Sequence, residues 1–147
     1  MMLPKYRAWH KQQNKMYYVE IMYLGEDGGV EVFDKWVTDF TSGEKDMATK
    51  FFTFDDVELM QFTGCKDCNG VDIYTGDILE NYHYDELAVV CFGEHRLYID
   101  GAIAYGNGFH TNIKHYEHYY GLSSKSIGPI ARVVGNIYEQ SDLIGEK

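Results

Sequence analysis

The order of apolar and polar positions predicts strands first. "KYRAWH" (Lys5–His10) and "KMYYVEIMYL" (Lys15–Leu24) are aromatic-rich runs joined by the polar turn "KQQN". The glycines of "GEDGG" (Gly25–Gly29) accept positive φ and mark a second reversal. "VEVFDKWV" then alternates as a third strand, with Val30, Val32, Asp34 and Trp36 expected on one side. "TDFTSGEKDMATK" (Thr38–Lys50) is polar and follows neither a strand nor a helix period, so it is expected to be a loop or linker.

"FFTFDDVELMQF" (Phe51–Phe62) fits either a strand or a short helix that Thr53 or Asp55 would cap, with its aromatic content favouring extended chain. "DCNG" is a turn, and "DIYTGDIL" places another Gly before a strand. "ELAVVCF" (Glu86–Phe92) is apolar on both faces, which predicts a central strand. "HRLYIDGAIAY" reads as a hairpin with Asp100–Gly101 at its turn, and "ARVVGNIY" as a late strand. "SDLI" opens a short C-terminal helix with Ser141 as its N-cap.

The expected fold is mainly β: a small N-terminal β meander packed on a barrel-like β domain, with one or two short helices. Residues 1–50 form the N-terminal subdomain and linker, and residues 51–147 the barrel-like domain, unless the two are one continuous domain.

Composition agrees with strands, since 16% of the 147 residues are aromatic and there are 15 Gly against 2 Pro. The net charge of −10 and the scatter of Lys and Arg argue against general nucleic-acid binding. Neither a signal-peptide core nor a membrane-length apolar run is present, "LAVVCF" being the longest comparable stretch. Three cysteines without an export signal are expected to be reduced thiols in a cytoplasm.

The chemical motifs narrow quickly. Cys65 and Cys68 are spaced C-x-x-C, but turn and strand signals follow them, not the helix N-terminus that lowers a redox thiol's pKa. As a zinc half-site the pair would need Cys91 and His95, giving C-x2-C, 22 residues, then C-x3-H. Against zinc, Cys91 lies in an apolar run and is adequately explained as a small buried hydrophobe. The preferred expectation is therefore no metal and no cofactor, with the Cys65, Cys68, Cys91 and His95 zinc module as the alternative.

His83, His95, His110, His115 and His118 crowd the second half without an H-E-x-x-H pattern. "YGNGFHT" lacks the third Gly and the helix of a dinucleotide loop. No nucleophile, base and orienter assemble, so no catalytic residue is assigned and no enzyme is expected.

Three segments carry a family resemblance: "KYRAWHKQQNKM", "LMQFTGCKDCNGVDIYTGDIL" (Leu59–Leu79) and "VVGNIYEQSDLI" (Val133–Ile144). In that order they resemble the YopX-like phage and prophage proteins. The resemblance implies a phage- or prophage-encoded protein, a β-rich fold with a barrel-like second half, self-association and no assigned activity; the cytoplasm expected from the missing export signal is then that of the bacterial host. Its expected partners are a second copy of the chain and a host or phage protein, with no nucleic acid and no membrane. The family pattern usually has apolar and basic residues at the positions of Cys65 and Cys68. It also has Asn-Pro where this chain has "EQSD".

Overall fold

The computed structural model describes residues 4–81, 84–99, 101–113, 116–121 and 130–144. The fold is mainly β with two antiparallel sheets, and two compact units divide the chain at Gln61/Phe62. The division falls inside a continuous strand.

In the first unit, β1 (Tyr6–His10), β2 (Lys15–Tyr23), β3 (Gly29–Thr38), β4 (Lys45–Thr53) and the start of β5 (Val57–Lys66) run in the order β4-β3-β2-β1-β5. The meander is thus present. The polar turn after β1 closes through the Asn14 N–H donating to His10 O, with Asn14 at φ 50°. Its Gln13 accepts from the Tyr17 hydroxyl at 2.6 Å, which satisfies a ring whose body is buried. Ala8, Tyr17, Val30, Val32 and Val57 form the core, and Phe52 packs edge-on against His10 and Tyr17.

Two expectations need correction here. Lys45–Lys50 is strand, not linker, and the loop shrinks to a turn in which the Asp39 N–H donates to Glu44 O. An edge strand with exposed faces needs no apolar alternation, so its pattern was silent. Trp36 does not share a face with Val30 and Val32. The register shifts between Phe33 and Lys35, so Phe33 stands opposite Thr49 and Trp36 opposite Met47. The extra residue of this bulge turns Trp36 to the outer face, where its ring lies 5.6 Å from that of Phe33. "FFTFDDVELMQF" resolves into both alternatives: β4 ends, a 3₁₀ turn covers Phe54–Asp56, and β5 begins.

In the second unit, the end of β5 pairs with β6 (Asp72–Tyr74). The other strands are β7 (Asp77–Asn81), β8 (Tyr84–Ile99), β9 (Ala102–Ile113), β10 (Tyr116–Gly121) and β11 (Ala131–Asn136). Their order is β10-β9-β8-β7-β11, which makes β8 internal as its two-sided apolar sequence predicts. β8 and β9 form the expected hairpin: Ile99 faces Ala102, and Gly101 has φ 81°. Among the described residues no pairing joins β10 to β11.

Cys65, Ile73, Leu79, Val90 and Ala131 are the buried core of this unit. A 3₁₀ turn at Ser141–Ile144 occupies the place of the expected C-terminal helix. Among the described residues no helix is long and apolar enough to cross a membrane.

Candidate functional site

The central motif is built around one carboxylate. Asp67 follows β5 and is 6% exposed. Its Oδ1 accepts the N–H groups of Asn69 at 2.8 Å and Val71 at 2.9 Å, which holds the Asp67–Gly70 reversal as an Asx-type turn. Gly70, at φ 79°, supplies the left-handed residue that closes it. Asp67 Oδ2 accepts the Val133 N–H at 2.9 Å, and the Cys68 N–H donates to Ala131 O at 3.0 Å. The turn is therefore tied to β11, in the chain's closing motif.

Burial pushes the Asp67 carboxyl upward. The N–H donors of Val133, Val71 and Asn69, together with the charge of Arg132, outweigh it and hold the group below the usual aspartate range. These are structural bonds: every donor is a backbone amide whose own position the carboxylate fixes.

The next part of the motif repeats the device. Asp77 is 1% exposed, and its Oδ2 accepts the Tyr74 N–H at 2.8 Å across the Thr75–Gly76 turn. Gly76, at φ 85°, donates its N–H to Val90 O and accepts from Ile137 N–H. On β5, the Thr63 hydroxyl donates to Ile73 O at 2.8 Å. Asn136 continues the series, its Oδ1 accepting the Tyr138 and Glu139 N–H groups after β11.

The four residues of the zinc reading occupy different settings. Cys65 is buried in the core and Cys68 is exposed in the turn. Cys91 is half-buried on β8, next to Val90; successive strand residues face opposite ways, so Cys91 points away from the cluster that holds Val90 and Cys65. His95 also lies on β8, but its side chain is outside the described residues. Burial raises the thiol pKa of both Cys65 and Cys91, which disfavours the thiolate a metal needs. Among the described residues no group of three metal-ligating side chains comes together.

The register instead sets Cys91 opposite His110, which is buried and has Nδ1 3.1 Å from Gly108 O. His83 and His115 lie outside the described residues, as does the side chain of His118.

A feature the sequence did not announce lies on the outer face of β2, β3 and β4. Glu31 accepts from the hydroxyls of Thr49 at 2.7 Å and Tyr23 at 2.9 Å, and these bonds lower its pKa. Around it Ile21, Tyr23, Trp36, Met47 and Phe51 are all exposed, Trp36 by 64%. The bulge at Phe33–Lys35 is what brings Trp36 to this face; no composition rule locates a bulge from one sequence.

Comparison with known proteins agrees with this architecture. The family model described as YopX protein matches residues 5–145. No curated protein matches the chain. Among solved structures, protein EF1440 from Enterococcus faecalis is similar at 22% identity over 98% of this chain and 99% of its own, with a TM-score of 0.58. At that identity the likeness concerns the fold.

Proposed function

The chain belongs to the YopX protein family, and we propose that it is a non-catalytic, phage- or prophage-encoded accessory protein that acts through protein–protein contacts in the bacterial cytoplasm. Its first partner is a second copy of itself, and a host or phage protein is the second. The observation that carries this reading is the outer face of β2, β3 and β4. Exposed Ile21, Tyr23, Trp36, Met47 and Phe51 concentrate the aromatic and Met side chains that interface cores favour.

The motif residues support a structural role. Asp67, Asp77 and Asn136 spend their oxygens on backbone N–H groups. The barrel-like second half belongs to the same proposal and is supported by the antiparallel order of β7 to β11.

Co-expression of a tagged and an untagged copy tests self-association. The reading expects the untagged chain to co-purify at a fixed ratio through a salt wash. Loss of the untagged chain at every salt concentration contradicts it.

A further inference from the structure

We propose that two copies associate by antiparallel pairing of their β4 strands about a two-fold axis at Ala48. This rests on the self-association proposed above and adds which strand carries it and in which register. Among the described residues β4 pairs with β3 alone, so its other edge presents main-chain donors and acceptors.

Two hydrogen bonds show which residues face that edge. The Asp39 N–H donates to Glu44 O, which places the hydrogen-bonded pairs of the β3–β4 hairpin at every second residue from Glu44, hence at Asp46 and Ala48. The Met47 N–H donates instead to the Asp46 side chain, at 2.8 Å, and so points away from β3. The main-chain groups of Met47, Thr49 and Phe51 therefore face outward.

Charge then selects the register. An axis at Ala48 sets Asp46 opposite Lys50 of the second copy, twice by symmetry, with Met47 opposite Thr49 and Lys45 opposite Phe51. The outward main-chain groups of Met47 and Thr49 meet as a hydrogen-bonded pair. An axis at Asp46 or at Lys50 opposes like charges, and an axis at Thr49 leaves both charges facing uncharged residues; an axis at Met47 sets Lys50 opposite Glu44, which lies outside β4 with its carbonyl turned to Asp39, and leaves Asp46 facing Ala48. The pairing also joins the two outer faces into one, with Met47 and Phe51 of each copy contributing at the seam. In the single chain, Asp46 occupies the Met47 N–H and Lys50 pairs with Asp34 at 3.4 Å; in the pair, the Met47 N–H passes to Thr49 of the second copy and Asp46 turns to Lys50, whose ammonium then serves both carboxylates.

Ala48 opposite Ala48 is a non-hydrogen-bonded pair, with Cα atoms about 4.5 Å apart, inside the disulfide range of ~4.4–6.8 Å. In a C68S background, which removes the exposed thiol, A48C is expected to link into dimers on mild oxidation, while M47C in the same background is not. D46K is expected to weaken association about tenfold by opposing two like-charge pairs, and D46K/K50D to restore it. If the protein self-associates but A48C does not link and D46K leaves the affinity unchanged, the β4 interface is overturned while self-association stands. If the wild-type chain does not self-associate, both fall.

Discussion

Asp67 Oδ2 accepts the Val133 N–H at 2.9 Å, a bond between residues 66 positions apart. It joins the central motif to the closing motif of the chain. The same carboxylate shapes its own turn, so one side chain sets both a local reversal and a long-range strand contact. Separate stretches of sequence thereby become one piece of structure.

Replacing Asp67 breaks both. D67A leaves the Asn69, Val71 and Val133 N–H groups without their acceptor and is expected to cost about 2–4 kcal/mol, the scale of losing charge-assisted bonds at a mostly buried site. D67N keeps one acceptor oxygen and is expected to cost less. Urea unfolding of the three proteins checks the ranking; equal midpoints for D67A and wild type would show the bond to be unimportant.

The same carboxylate predicts a pH dependence. Its folded pKa lies below the unfolded value of about 3.9. Its contribution is therefore present above that value and is lost as pH falls through the folded pKa. The stability gap between wild type and D67N is expected to narrow below about pH 4. A gap that stays constant from pH 7 to pH 3 would mean that the charge contributes nothing.

The cysteines are expected to separate by reactivity. Cys68 is exposed, whereas burial raises the pKa of Cys65 and Cys91. In the native protein Cys68 should react with a maleimide at least about tenfold faster than Cys65, the thiolate being the reactive form. Elemental analysis should find no stoichiometric zinc. Near-stoichiometric zinc together with protection of Cys65 and Cys68 would bring back the Cys65, Cys68, Cys91 and His95 site.

Each unit has its own core, and truncation should register there. Val30 is fully buried in the first, and Leu79 is 2% exposed in the second. L79A is expected to cost about 2–5 kcal/mol. Hydrogen exchange should rise first in β6, β7 and β11 for L79A, and in β2 to β4 for V30A. Identical exchange patterns for the two variants would show that the units do not open separately.

Much of the fold was legible because its turns are chemically marked. Asn14, Gly70 and Gly101 sit at positive φ where Asn or Gly was read as turn, and the two-sided apolar run of β8 placed it inside a sheet. Three things were not legible. β4 is an edge strand with polar residues on both faces, so it carried no period. The bulge at Phe33–Lys35 moves Trp36 across the sheet with no composition signal. The Asp67–Val133 bond depends on tertiary proximity, although an Asp before Asn-Gly in a family motif is the residue type such a bond needs. At the cysteines, spacing suggested a shared site while strand alternation sends Cys91 away from the cluster that holds Cys65.

Static light scattering across a concentration series, up to high micromolar, tests the proposed mode of action most directly. Contact through copies of the chain predicts a molar mass that is a whole multiple of 17.0 kDa and falls towards it only on dilution. A mass of 17.0 kDa at every concentration would contradict it.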